Sequence, residues 1–303
     1  MRFILTCLLA FSFLIQDASL GHRPHLFGIA HVAFHVGNIN RTESFYENIL
    51  GYQQPFLLDD EQDKPTIGFV KVNDFQYVEL FRGDEQAPGQ LDHFALYTDN
   101  LTAMSAYLHA LGMYIAKDIH KGRTGNPFLT IRDPDGHFVE IVQYASNSMT
   151  AQSQGKFMSV SRVSDHISHV GIVINSVDLA MKFYRDALGF REFARGGGTE
   201  GHPGWIELQL PDGGDYIKLI ISSGATVPTN PKSENYMGLA SADVRRAADV
   251  LRSRTKVSLN ISVSAQNRDG LPAHLDLVDP DGAHIEIAEP IGAGSMQHPM
   301  HSQ

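Results

Sequence analysis

Polar and apolar residues alternate over residues 29–36 and again over residues 167–174. That period of two predicts a half-buried strand at each place. A stretch with an apolar helical stripe follows each one, carried by Phe45, Ile49 and Leu50 in the first case and lying within residues 179–188 in the second. Strand-like runs come next, over residues 53–58, 66–72 and 76–81. The pattern then starts afresh, with further strand-like runs near 113–115, 128–132 and 137–143. Each quarter of the chain therefore reads as βαβββ.

The quarters are related by sequence as well as by pattern. Laying "AHVAFHVGNINRTESFYENILGY" (from Ala30) over "SHVGIVINSVDLAMKFYRDALGF" (from Ser168) puts His31 on His169, Phe45 on Phe183, Tyr46 on Tyr184 and Gly51 on Gly189. A weaker match lays "LDHFALYTDNLTAMSAYL" (from Leu91) over "NYMGLASADVRRAADVLR" (from Asn235), which sets Met237 on His93. Both halves close on a tight turn and a strand, "DPDGHFVEI" from Asp133 and "DPDGAHIEI" from Asp279. In such a turn Pro fixes one φ and Gly supplies a positive one. Repetition at this scale means a tandem of supersecondary units. A module of roughly sixty residues has too little apolar area to stand alone. Two modules side by side can curl their strands into a half-open barrel whose cup is lined by alternate residues. The expected class is α+β: tandem paired βαβββ modules, each pair forming a half-open β-barrel cup flanked by helices. The expected units are residues 26–145 and 164–290, joined by a polar, aperiodic linker at 146–163.

Composition narrows the function. The chain has 303 residues, 43% hydrophobic and 19% charged, which suits a globular protein with two domains. Its net charge of −10 argues against a nucleic-acid partner, because phosphate backbones need clustered Lys and Arg. Arg2, an apolar run over 3–15, and small residues at Ala18, Ser19 and Gly21 have the layout of a secretory signal peptide over residues 1–21. The run is too short to span a bilayer. The expectation is a secreted or periplasmic protein without a membrane contact once the signal is removed. The one cysteine, Cys7, lies inside that run, so the remainder has no thiol chemistry. Residues 291–303 read as a disordered tail. The glycine-rich stretch at 195–204 lacks the Gly-Lys-Ser/Thr ending of a phosphate loop and reads as a surface loop.

Chemistry-bearing side chains recur at matching places. In the first half, each module's first strand carries a histidine, His31 and then His93, and its last strand a glutamate, Glu79 and then Glu140. If the modules pair about a pseudo-twofold axis, the four converge, and two imidazoles with two carboxylates can hold one divalent cation. His35 falls on the same face as His31, near enough to meet a substrate. Phe34, Tyr77, Phe81, Phe94, Tyr97 and Trp205 offer aromatic walls. In the second half His169 and Glu286 keep ligand-type residues, but Lys218 takes the place of Glu79, and an ammonium repels a cation. A metal is therefore expected in the first unit only.

These motifs, "HVAFHV", "FYENILGY", "VELF", "LDHFALYTDN" and "DPDGHFVEI" with their second-half partners, resemble the vicinal oxygen chelate superfamily. Glyoxalase I, extradiol dioxygenases and bleomycin-resistance proteins belong to it. The resemblance implies paired βαβββ modules and a divalent metal (Zn, Ni, Co, Mn or Fe) held by His31, Glu79, His93 and Glu140. It also implies a small oxygenated substrate whose enediolate is stabilised, with Glu140 or Glu79 carrying the proton, as in a lyase or isomerase. The alternative is an Fe(II) extradiol dioxygenase using His31, His93 and Glu140, with His120 as acid–base partner. Against that, Thr130 stands where the dioxygenase pattern has tyrosine. A third possibility is a binding protein of the bleomycin-resistance type, with neither metal nor turnover.

Overall fold

In the central strands of each sheet, apolar residues on one face are fully buried, and this packing builds the molecule. In the strand Gly28–Val36 (β1), Val32, Phe34 and Val36 enter the core while His31, Ala33 and His35 take the other face. Burying one such side chain contributes about 1.5–3 kcal/mol, so the register is strongly specified. The computed structural model describes residues 22–83, 89–198, 203–222, 234–255, 262–264 and 273–290. The expected signal segment, the expected tail and part of the glycine-rich stretch lie outside the described residues.

Seven further strands follow in the first half: Gln53–Asp59 (β2), Pro65–Lys71 (β3), Tyr77–Arg82 (β4), Leu91–Tyr97 (β5), Ile115–Lys121 (β6), Pro127–Arg132 (β7) and Phe138–Val142 (β8). They form one sheet in the order β2-β3-β4-β1-β5-β8-β7-β6. Each module contributes four strands, and the two first strands, β1 and β5, meet antiparallel at the centre. Each last strand runs parallel to its own first strand, β4 beside β1 and β8 beside β5. That layout is the pseudo-twofold pairing the repeat predicts.

The second half repeats the plan with Ile167–Ile174 (β9), Arg191–Gly196 (β10), Trp205–Gln209 (β11), Tyr216–Ile221 (β12), Tyr236–Ala240 (β13), Ser262–Ser264 (β14), His274–Val278 (β15) and His284–Ala288 (β16). Its order is β10-β11-β12-β9-β13-β16-β15-β14.

Helices cover the core faces. Ile39–Asn48 (α1) and Leu101–Ala110 (α2) start at Asn38 and Asn100, whose side chains accept backbone N–H bonds at the helix start. A short helix, Met149–Gln152 (α3), falls inside the expected linker. That segment is bound to the first sheet. The fully buried Lys71 ammonium donates to Asp74 and to the carbonyls of Ser153 and Lys156, and the Tyr77 and Ser153 hydroxyls share a 2.7 Å bond. Composition marked the segment as irregular. The buried cation fixes it, and periodicity carries no trace of that. In the second half Val177–Met181 (α4) continues into a π-helical turn over Lys182–Ala187, and Val244–Arg254 (α5) covers the other module.

The DPDG turns join the two halves. Gly136 and Gly282 have φ of +91° and +93°, a region in which a side chain is strained. In the first turn the Asp133 carboxylate accepts from its own turn and from the Tyr184 hydroxyl of the opposite half, at 2.8 Å. In the second turn Asp281 accepts from Arg41 and Thr42 on α1. Each half thus lends its "FY" helix to the other's turn.

Candidate metal centre

The cup face of the first sheet gathers the predicted residues. His31 lies across from Ala95 and His93 across from Ala33, so each imidazole sits above a small residue on the neighbouring strand. Ala33 also pairs with Glu79 and Ala95 with Glu140. The "His-x-Ala" pattern therefore creates the space that both rings and both carboxylates enter.

Three of the four converge tightly. The Nε2 atoms of His31 and His93 are 2.9 Å apart, and Glu140 Oε2 is 3.6 Å from each. All three ligating atoms lie within 4.8 Å of one another, and among the described residues this is the one such group. Ligand bonds of about 2.0–2.2 Å place neighbouring ligand atoms roughly 3–3.6 Å apart, so the donor set fits a divalent cation in both spacing and chemistry. Glu79 stands beside it, with Oε1 3.5 Å from His31 Nδ1, on the ring edge facing away from His93.

The electrostatics are those of a cation hole. Burial disfavours a charged His93 ring, but Glu140, the bond to Asp92 and Glu79 outweigh it and raise its pKa to about 9. Burial also pushes Glu140 up, yet His93 and His31 outweigh it and hold its carboxyl below the usual range. At Glu79 burial dominates and the carboxyl is raised. The two carboxylates beside one histidine pair are thus shifted in opposite directions.

Sequence reading missed Asp92. Its Oδ2 accepts from His93 Nδ1 at 2.7 Å, which fixes the tautomer and turns Nε2 toward His31. Its Oδ1 binds His35 Nε2, also at 2.7 Å. A residue next to His93 in a regular strand should point to the opposite face. Here the pairing skips from Ala33–His93 to Phe34–Leu91, so Asp92 is the extra residue of a bulge and swings toward its neighbour. His35 reaches the centre only through Asp92 and is not among the residues lining the cavity.

The cavity above the centre measures about 330 Å³. Tyr77 and Phe81 line it, as the aromatic pattern suggested. Phe34 and Phe94 are core residues instead. Tyr97 packs between Phe27 and Tyr144 outside the cavity. His120 does line it. Its Nδ1 lies 2.8 Å from the Asp118 carbonyl, and its Nε2 is buried without a hydrogen-bond partner among the described residues.

In the second sheet the register corrects one expectation. Tyr236, not Met237, occupies the place of His93, since Gly238 pairs with Glu286 as Ala95 pairs with Glu140. Met237 belongs to the core. The weaker repeat match carries a one-residue slip, which in a strand reverses the face. Gly171 and Gly238 replace the alanines. A Cβ at Gly238 would lie 1.9 Å from the His169 ring, and one at Gly171 would lie 2.0 Å from the Tyr236 ring. The rings fill the space a cation would need. His169 Nε2 lies 3.0 Å from Glu286 Oε1, and Lys218 reaches Glu207 at 3.6 Å and the Trp205 ring at 5.2 Å. Among the described residues no metal-type cluster forms there.

The model of the glyoxalase/bleomycin resistance protein/dioxygenase superfamily matches residues 28–141 and again 166–287. The chain belongs to that superfamily. Both copies of the superfamily module coincide with the two sheets. A Brassica oleracea var. gemmifera protein, provisionally named a lactoylglutathione lyase, is 23% identical over 270 residues, spanning 83% of this chain and 88% of that one. Among solved structures, the Mn(II)-bound glyoxalase from Novosphingobium aromaticivorans superposes with a TM-score of 0.68 at 17% identity, covering 89% of this chain and 84% of the other. The 2,3-dioxygenase LapB from Pseudomonas sp. KL28 gives 0.66 at 17% identity, covering 92% and 96%. The tandem superfamily fold is common to both.

Proposed function

We propose that the first unit is the active site of a divalent-metal enzyme that moves a proton next to a carbonyl of a small oxygenated compound. The observation that carries this reading is a second carboxylate, Glu79, 3.5 Å from His31 and standing off the close His31–His93–Glu140 cluster. Environments that push two acids apart assign them different tasks. Glu140, held charged, completes the ligand set with His31 and His93. Glu79, half-buried and with its carboxyl pKa raised, stands next to the ligands as the proton carrier. The metal, when bound, supplies Lewis acidity toward the substrate's oxygens. Asp92 keeps His93 in the ligating tautomer, and His35 braces Asp92. Superfamily relatives named lyases and glyoxalases agree with the reaction class. The leader-like residues 1–21 extend the proposal to action outside the cytosol, on a substrate other than a glutathione thiohemiacetal.

A second reading, extradiol oxygen chemistry, draws on one observation: Glu79 stands off the three-ligand cluster, leaving two histidines and one carboxylate as the close set. A Glu79→Gln variant separates the two. With a panel of small α-hydroxy ketones and α-keto aldehydes, proton transfer predicts exchange of the hydrogen next to the carbonyl with solvent deuterium. That exchange should fall at least about 100-fold in Glu79→Gln while bound metal is retained. Undiminished exchange in the variant would exclude Glu79 as the carrier. Oxygen uptake with a catechol, retained in the variant, would favour the dioxygenase.

A further inference from the structure

The cavity is divided by charge. Its acids, Glu79, Asp92 and Glu140, are at the floor with the histidine pair. Its cations, Lys117, Lys121 and Arg123, all come from β6 and the turn after it. In a chain with 34 acidic and 24 basic residues, three cations within seven positions at one cavity wall oppose the overall balance.

Strand irregularity produces this wall. β6 pairs with β7 as Lys117–Thr130 and then His120–Phe128, with register shifts on both sides of Lys117. Strict alternation would send residues 117 and 120 to opposite faces. The bulge sets both at the cavity, and bulges beside sites commonly re-aim side chains in this way. The one acid of the segment, Asp118, turns outward to Ser105 and His109. Lys117 lies 5.7 Å from the Phe128 ring centroid, and neither it nor Lys121 has an ion-pair partner among the described residues. Arg123 donates to the Thr66 hydroxyl and the Asp59 carbonyl, neutral groups that leave its charge uncompensated. The cavity is also lined by apolar side chains, Leu58, Ile67 and Phe69.

We propose that the substrate of this site is a small anion: an apolar body with adjacent oxygens at one end for the His31–His93–Glu140 floor, and a carboxylate at the other end read by Lys117 and Lys121, on the wall that Arg123 extends. The proposal rests on the metal reading for the floor and adds the charge of the far end. The cations also steer such an anion toward an otherwise acidic protein.

The test uses a pair of chelating probes on the full chain, 4-carboxybenzohydroxamic acid and its uncharged 4-carboxamide analogue, with affinity measured by calorimetry. The wild type should bind the carboxylate about tenfold more tightly than the amide. That preference should vanish in Lys117→Gln/Lys121→Gln and persist in Lys117→Arg/Lys121→Arg, and both variants should keep the wild-type metal content. Equal affinity for the two probes in the wild type, a preference that survives the double glutamine variant, or no binding of either probe to metal-loaded protein would overturn the proposal. Metal content, assayed in the same samples, reports separately on the floor: its absence would sink the metal reading and leave the carboxylate preference to be judged on its own.

Discussion

A buried histidine held between acids behaves as a cation detector. His93 has its folded-state pKa raised to about 9 by Glu140, Asp92 and Glu79 against the opposing effect of burial. A raised pKa means the folded state holds its proton more tightly than the unfolded chain. In metal-free protein this stabilisation is complete below about pH 6.5, the unfolded value, and is lost as pH rises through about 9. Metal takes the neutral ring, so it should reverse the trend. Chemical denaturation of chelator-treated protein should therefore show stability falling between pH 6.5 and 9, and the fall should be absent in His93→Gln. An unchanged slope in that variant would remove His93 from the account. At this scale the sequence was partly legible. His31, His93 and Glu140 were found because the repeat placed like residues at like positions. Asp92 was not, because a bulge overrides the alternation that sequence reading relies on. Lys117 and His120 were hidden as a cavity-facing pair for the same reason.

Elements explain why one cup is open and the other filled. Both sheets share strand order and pairing, and the strands and the fold class could be read from period-two patterns in the sequence. What separates the cups is a change of two small residues and their neighbours. Ala33 and Ala95 leave room above the first sheet for a cation, whereas Gly171 and Gly238 let Tyr236 and His169 lie against the backbone of the second. The sequence comparison blurred this by one residue, since the weak second-module match set Met237 on His93. Adding a methyl group at Gly238 tests the packing. The new Cβ would lie 1.9 Å from His169, whose ring is fully buried. Overpacking of this kind costs about 1–3 kcal/mol. Gly238→Ala should lower the unfolding free energy by that amount and leave first-unit metal content unchanged. A neutral effect on stability would show that the His169 ring can yield.

At the scale of the whole molecule, the halves are joined by what they repeat. The tyrosine of the second "FY" pair, Tyr184, donates to Asp133, and Arg41 and Thr42 on the first helix donate to Asp281. The DPDG turn has two tasks: it delivers Glu140 and Glu286 to their sheets, and it receives the opposite half's helix. Turn chemistry alone predicts the first task and is silent on the second, because the partner lies about fifty residues away or more. The segment 146–163 shows the same limit, since its order depends on the distant Lys71.

The arrangement as a whole claims one metal site in two copies of one fold. Elemental analysis of protein purified without added metal, compared across wild type, His93→Ala and His169→Ala, tests this most directly. The account predicts about one divalent ion per chain in the wild type, its loss in His93→Ala and no change in His169→Ala. Folded wild type with no bound metal, or metal that survives in His93→Ala and disappears in His169→Ala, would contradict it.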